Sequence, residues 1–403
     1  MEEKRRILLV IPNLDFGGAQ NSFSRLSHLL EPHFDLLLVV FNKANLAPIQ
    51  LKGSFIELGV SGSGFILGKA LRFFQRIIRL RKIKRKFKPH ASVSFLEGAD
   101  YVNILSTIGE RIYIYIHGSK LFDKNIAGFI GLIRKRILIP LLYSRANKIL
   151  VVNEAIADEL RNHFKLLNQS FKVMPNFYDF EELNGLASIQ PDDLEEAFFK
   201  KNKVICISGR LAPEKGIEDF LQIIPVLSKK HPELRVIIIG DGPQKDMIKA
   251  TIVSLGITYA DSVFDMSNDN EATVFFLGYK KNPYAYMSRS TMLALPSFNE
   301  GMPNTVVEAM GLGVPVVAAD CPYGPRELLG RGKFSGTWPD FNAYGILVPV
   351  LHDNEARLLW ISAIDQLLDD VFMRKKYKEA GKVRAQEFSY NAMDTHWLKL
   401  LNT

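Results

Sequence analysis

Four charged side chains and one helix start carry the chemistry that this sequence offers. Arg210 and Lys215 project from a single loop, Gly209-Arg210-Leu211-Ala212-Pro213-Glu214-Lys215-Gly216, directly after the apolar run Val204–Ser208. A fork-shaped guanidinium and a compact ammonium suit a diphosphate, and Gly209 lets the backbone turn close to a ligand. The second group is Ser297–Gly311, SFNEGMPNTVVEAMG, which follows the apolar run Met292–Leu295 and Pro296. Pro303 and the residues after it predict a helix with a first turn of Gly301, Met302, Pro303, Asn304 and Thr305. The unpaired amides of such a turn, with the positive end of the helix dipole, attract an anion and above all a phosphate. Glu300 precedes the turn and Glu308 lies two turns into the helix. Acids on both sides repel a bare phosphate but accept hydrogen bonds from hydroxyls. The set therefore fits a ligand with hydroxyls on either side of its phosphates, as a nucleotide-sugar has. Alone, E-x7-E equally describes a capped surface helix with two solvated acids; its neighbours give it the first meaning.

Loops of this kind need strands to hold them. Parallel strands buried on both faces read as short, unbroken apolar runs. Ile7–Ile11, Leu36–Phe41, Ala91–Phe95, Arg111–Ile116, Lys148–Val152 and Phe171–Met174 are such runs in the first half. Val204–Ser208, Arg235–Ile239, Val274–Leu277, Met292–Leu295, Val314–Ala318 and Gly345–Val348 repeat the pattern in the second. A strand, the Gly17-Gly18 turn and a helix carrying Phe23, Leu26, Leu29 and Leu30 open a doubly wound domain. With no G-x-G-x-x-G present, that glycine pair serves equally well as a plain tight turn. His117 follows the strand Arg111–Ile116, at the C-terminal sheet edge where α/β ligands bind; a structural histidine fits there too. Tyr279 follows Gly278 at another strand end, in reach of a base. The fold class is α/β, and 403 residues suffice for two cores. The polar stretch Glu181–Lys203 separates domains 1–185 and 186–388. Helices over Asn354–Ala385 complete the second, and a last helix within 389–403, carrying Trp397, crosses back to the first.

Composition narrows the setting. Two cysteines, Cys206 and Cys321, exclude a disulfide framework and fit a reducing compartment. No stretch approaches the ~18 uncharged apolar residues of a membrane span. The start MEEKRRILLVIP has too short an apolar run for a signal peptide, and Asp15, Gly17 and Gly18 stand where a cleavage site would be. A cytoplasmic protein is expected. The net charge of +8 is concentrated in Lys69–Lys88, which holds ten basic residues and no acid. Helical spacing over Phe65–Lys86 sets Leu67, Leu71, Phe74, Ile77, Ile78 and Leu80 between those cations. Such a helix either lies on an anionic membrane surface or packs with a solvated basic face. Arg72, Arg76, Arg79 and Lys82 are its candidates for lipid or acceptor phosphate. No nucleic-acid module surrounds it, so no nucleic-acid partner is expected.

Taken together, SGRLAPEKG, GDGP, FLGY and the run from Glu300 to Glu308 resemble the retaining family 4 glycosyltransferases of the GT-B fold, over nearly the whole length. The resemblance implies two Rossmann-like domains facing a cleft, the acceptor on the N-terminal side and the nucleotide-sugar on the C-terminal side. It implies that Arg210 and Lys215 hold the donor diphosphate and stabilise its departure. Glu308 would accept the ribose hydroxyls. Glu300, with Gly301 to Thr305, would bind the transferred sugar, and His117 would orient it. Gly17 and Gly18 would line the cleft, and Gly209 and Tyr279 would complete the donor site. The loop Cys321–Leu328 resembles the branch that moves Gal- or GalNAc-type sugars from UDP onto lipid-linked or surface glycans. The implied enzyme is a peripheral one on the inner membrane face, transferring a hexose or N-acetylhexosamine. It would use no cofactor and no metal, since no Asp-x-Asp occurs. A sugar-nucleotide epimerase of the same fold, or a non-enzymatic basic binding protein, are the alternatives; the second leaves Arg210, Lys215, Glu300 and Glu308 unexplained. Gln20 and Asn153 depart from the family's usual Glu and Ser, and the insertions Tyr259–Glu271 and Arg331–Asn342 are longer than usual.

Overall fold

Runs too apolar to tolerate a wet face pair with one another as parallel strands and hide both faces under helices. In the computed structural model this happens twice. The structure describes residues 4–15, 17–42, 50–60, 66–122, 128–189, 193–261, 272–332 and 334–402. Phe65 and residues 262–271 of the first insertion lie outside the described residues. Two compact units form: Met1–Phe177 with Tyr390–Thr403, and Tyr178–Ser389.

The first unit contains β1 (Arg6–Ile11), β2 (Asp35–Val40), β3 (Ser54–Glu57), β4 (Ala91–Phe95), β5 (Arg111–Ile116), β6 (Lys148–Val151) and β7 (Phe171–Val173). They lie in the order β3-β2-β1-β4-β5-β6-β7 with every pairing parallel. The chain winds one way from β1 to β3 and the other way from β4 to β7, so the order reverses between β1 and β4. Short β3 is exposed throughout, which is why no apolar run announces it. Right-handed crossovers put the helices Ile66–Phe87 and Glu97–Leu105 on one face of this sheet. The helix Tyr390–Asn402 belongs to the same unit: Trp397 is fully buried with its ring centroid 5.6 Å from that of Tyr115. The helix expected over Ile130–Tyr143 is broken into Gly128–Ile133, a π turn Arg134–Leu138 and Ile139–Tyr143. Pro140 has no N–H to return to residue 136, and the ladder slips so that Ile139 N–H donates to Arg134 O.

The second unit contains β8 (Lys203–Ser208), β9 (Leu234–Ile239), β10 (Tyr259–Ala260), β11 (Val274–Gly278), β12 (Met292–Leu295), β13 (Val316–Ala319), β14 (Asp340–Phe341) and β15 (Ile346–Val348). Their order is β10-β11-β9-β8-β12-β13-β15-β14, antiparallel only at β14. Here the reversal falls between β8 and β12. Its core is built from Ile205, Ile207, Val236, Ile238, Phe276 and Trp360, all essentially unexposed. Asp370 breaks the long C-terminal helical stretch and caps its second half, accepting from Met373 N–H at 2.8 Å.

One charged pair sits wholly inside the first unit. Lys84 of the basic helix pairs with Glu110, both side chains fully buried, and donates to Asn103 O at 2.8 Å. Removing one partner strands a charge in the interior, whereas removing both does not. Glu110→Gln is therefore expected to lower unfolding free energy by about 3–5 kcal/mol, and Lys84→Met with Glu110→Leu to recover most of it, as read by urea denaturation.

Candidate functional site

The crevice of an open α/β sheet lies at the C-terminal ends of the strands where the order reverses. In the second unit those strands are β8 and β12, paired through Met292 with Ile205 and Leu293 with Cys206. The loop leaving β8 folds onto the loop leaving β12 through Gly216. This glycine has φ 62°, and a Cβ there would lie 2.2 Å from Pro296 O, so only glycine fits. Phe298 N–H donates to Glu214 O at 2.9 Å across the same contact. Lys215 Nζ thereby reaches Glu300 Oε1 at 2.7 Å, and Ser297 Oγ donates to that oxygen at 2.6 Å. Arg210, whose side chain is two-thirds exposed, pairs with Glu214. Gly240 brings the GDGP turn against the same loop: a Cβ would lie 1.9 Å from Gly209 O, and Leu211 N–H donates to Asp241 O at 2.9 Å.

The helix predicted after Glu300 spans Asn304–Leu312, with Pro303 at its cap and no side chain capping its first amides. Asn304 Oδ1 accepts from the Tyr178 hydroxyl at 2.6 Å. Met302 and Glu308 are buried, and Glu308 Oε1 accepts from Tyr284 OH at 3.4 Å. Gly301 lies against the Cys321 loop, since a Cβ on Gly324 would sit 2.6 Å from Gly301 O. Tyr279 is half-exposed after β11. Burial, then the Glu300 carboxylate, pushes the Cys321 thiol up, and burial pushes Cys206 up to about 12. Neither supplies a thiolate at neutral pH. Thus Lys215 and Glu300 touch, Arg210 and Gly209 share their loop, and Gly301 to Thr305 and Glu308 occupy one helix start. Their partners Glu214, Ser297, Tyr284 and Tyr178 were not identified from sequence. Only Glu214 and Ser297 stood close enough in the chain to be suspected.

His117, Gly17 and Gly18 belong to the first unit, after β5 and β1. Gly17 precedes the helix Gly18–Leu30, and a Cβ there would meet Gln20 Oε1 at 2.4 Å. The His117 ring stacks on Phe95 at 5.3 Å and lies 4.1 Å from Tyr115, centroid to centroid. Both its nitrogens are buried without a hydrogen bond of regular geometry, although the Asn176 amide lies alongside. Burial, reinforced by the Lys120 charge, lowers its pKa to about 3, so it is a neutral imidazole. In the same unit, fully buried Asp100 accepts from Ser94 Oγ at 2.7 Å and Tyr143 OH at 3.0 Å.

The basic helix is less of a free cationic face than its sequence suggests. Arg76 donates to Val60 O at 2.8 Å and sits over the Phe41 ring, Arg79 donates to Leu58 O, and Arg72 is partly buried. With Lys84 buried too, the outward charge comes from Lys69, Lys82, Arg85, Lys86 and Lys88, and from Arg81, which donates to Thr107 O at 3.1 Å. Beside them Leu71, Phe74 and Ile78 are exposed by 61%, 61% and 56%, an apolar stripe at helical spacing.

Residues 189–384, nearly all of the second unit, match the family described as glycosyl transferases group 1. The chain carries a group 1 glycosyltransferase domain. Among relatives of known name, a Campylobacter jejuni α-N-acetylgalactosaminyltransferase acting on a diphospho-undecaprenol-linked glycan is 27% identical over 95% of this chain and 96% of its own. An uncharacterised glycosyltransferase of Methanocaldococcus jannaschii is also 27% identical, over 82% of this chain and 83% of its own. Sucrose-phosphate synthase of Thermosynechococcus elongatus superposes with a TM-score of 0.73 at 16% identity, covering 99% of this chain and 98% of that one. Anabaena HepE in complex with UDP-glucose gives 0.71 at 18%, covering 98% and 99%. The glycosyltransferase fold is therefore GT-B, an architecture of two Rossmann-like domains.

Within this glycosyltransferase, His231, Asp365 and Asp369 also come within 4.8 Å of one another. His231 precedes β9, at the opposite end of the strands from the crevice, Asp365 and Asp369 come from the helix Asn354–Asp369, and Lys230 and Lys203 already pair with these acids. Asp100 offers a clean test of the first unit's interior. Burial raises its pKa from 3.8 to about 7, against the lowering effects of Lys120, Ser94 and Tyr143 and with a raising one from Glu97. The folded state thus holds a proton that the unfolded chain releases near pH 4, and stability falls as pH rises toward 7. Between pH 5 and 7 this group is expected to remove about 2 kcal/mol. Asp100→Asn should flatten that slope in urea melts.

Proposed function

We propose that this glycosyltransferase is a retaining enzyme that moves a hexose or N-acetylhexosamine from a UDP-sugar to a lipid-linked glycan at the inner membrane face. The observation that carries the reading is the Lys215–Glu300 contact at the mouth of the helix Asn304–Leu312. It puts an ammonium and an acid side by side where helix amides already favour an anion. In the proposed reaction the bond from the anomeric carbon to the diphosphate oxygen breaks while the acceptor oxygen bonds to the same face of that carbon. The acceptor proton passes to the departing phosphate. Negative charge grows on the diphosphate as the bond opens, and Arg210 and Lys215 stabilise it there. Glu300 exchanges its bond with Lys215 for the sugar hydroxyls, and Glu308 accepts from the ribose. Gly209, Tyr279 and the backbone of Gly301 to Thr305 line the donor's place. His117, neutral and therefore both donor and acceptor, contacts the sugar near Gly17 and Gly18. Two cations and a helix start provide the charge that a divalent metal would otherwise supply, so a metal-independent reaction is proposed.

The sugar class and acceptor follow the GalNAc transferases of Campylobacter jejuni among the relatives, whose names specify diphospho-undecaprenol glycans. No helix among the described residues is long and apolar enough to cross a membrane. Docking on anionic lipid is supported instead by the exposed apolar stripe Leu71, Phe74 and Ile78 among Lys69, Lys82, Arg85 and Lys86. A second stripe, Ile133, Ile137 and Leu141, is exposed beside Arg136.

UDP should raise the melting temperature without added metal, and Glu308→Ala should weaken UDP by about 10- to 100-fold. Lys215→Ala should leave the fold intact and reduce turnover by about 100-fold; full activity would remove its assigned role. Replacing Lys69, Lys82, Arg85 and Lys86 by Gln should release the protein from phosphatidylglycerol vesicles in sedimentation while leaving the UDP shift unchanged. Unaltered sedimentation would refute the membrane assignment alone.

A further inference from the structure

Lys120 has an unusual position for a lysine. It is 6% exposed, and its ammonium has no hydrogen bond or ion pair with any described residue. The loop that carries it, directly after His117 at the end of β5, is rigidly held. Glu159 accepts from Ser119 Oγ, from Lys120 N–H at 2.7 Å and from Leu121 N–H at 3.3 Å. Ser119 Oγ in turn accepts from the N–H groups of Leu121 and Phe122 at 3.1 and 3.2 Å. Glu159 is thereby committed to the Ser119 hydroxyl and to backbone, and makes no bond to the ammonium. Other charges nearby are also engaged. Asp100 feels Lys120 electrostatically, but its oxygens serve Ser94 and Tyr143. Arg134 pairs with Glu97, and Lys135 Nζ donates to Leu121 O at 2.6 Å. An ammonium on a side chain only 6% exposed, with no counter-ion among the described residues, is held ready for an anion, and a tightly clamped loop keeps it at the sheet edge where ligands of this fold class bind.

We propose that Lys120 donates to a phosphate oxygen of a diphosphate substrate. The proposal rests on the donor reading above for the presence of diphosphates in the reaction. An ammonium is a compact point charge with three donors, suited to a phosphate oxygen rather than to a flat carboxylate fork. Two sources offer that oxygen: the nucleoside diphosphate of the donor and the lipid diphosphate of the acceptor. The other residues around the loop complement the assignment, since a neutral His117 adds no repulsion and offers a donor and an acceptor to neighbouring hydroxyls.

The full chain, with Lys120→Met and Lys120→Arg, should be titrated calorimetrically with UDP and with farnesyl diphosphate, following melting temperature in parallel. Lys120→Met is expected to keep or raise the melting temperature, and to weaken at least one diphosphate by about tenfold or more; Lys120→Arg should restore part of that loss. Weakening confined to UDP assigns the donor, and weakening confined to farnesyl diphosphate assigns the acceptor. If UDP binds wild type and both variants alike, and farnesyl diphosphate does the same or binds none of them, the Lys120 assignment is overturned while the donor site stands. Should wild type bind neither probe, the donor reading and this one both fall.

Discussion

An ammonium and a carboxylate 2.7 Å apart, Lys215 and Glu300, tie together the loops that leave two neighbouring strands. The contact exists because β8 and β12 are adjacent although they lie more than eighty residues apart in the chain. Adjacent parallel strands must end on the same side, and a reversal of strand order leaves the space between their exits uncovered. Gly216 then removes the last obstacle, since any side chain would collide with the carbonyl of Pro296. Charge placement in the second unit thus follows from strand order first and from one missing Cβ second.

The first unit repeats the architecture with different contents. Its reversal lies between β1 and β4, and the groups at the strand exits are glycines, a neutral imidazole and a lysine rather than a pre-formed ion pair. The asymmetry has a chemical sense in the proposed reaction. A departing diphosphate needs fixed positive charge, while a hydroxyl nucleophile is better served by uncharged or singly charged neighbours that can donate and accept.

Much of this was legible in the sequence, for a reason that can be stated. Ile7–Ile11, Met292–Leu295 and their equivalents are buried on both faces, so each run carries its own signal. Short edge strands do not: Ser54–Glu57 is wholly exposed, and Tyr259–Ala260 and Asp340–Phe341 are two residues each. The glycine loops and the acid pair could be placed because each lies next to a strand end in the chain. Tyr284 and Tyr178 could not, since they meet Glu308 and Asn304 only through tertiary packing. The basic helix shows the other limit. Ten cations within twenty residues read as one cationic face, on a membrane or in solvent, yet packing turned Lys84 toward Glu110 and gave Arg76 and Arg79 to backbone carbonyls. Composition reports how many charges a segment has; only the fold decides which of them meet water.

The two thiols offer a practical corollary. Cys206 lies inside β8 and Cys321 in the loop that abuts Gly301, and burial keeps both in their unreactive form. Maleimides and similar reagents need a thiolate that they can reach. A single cysteine introduced on the surface of either unit would therefore be the preferred point of attachment for a spin label or fluorophore, with neither native cysteine replaced, and distances between two such labels could be followed as nucleotide and glycan are added.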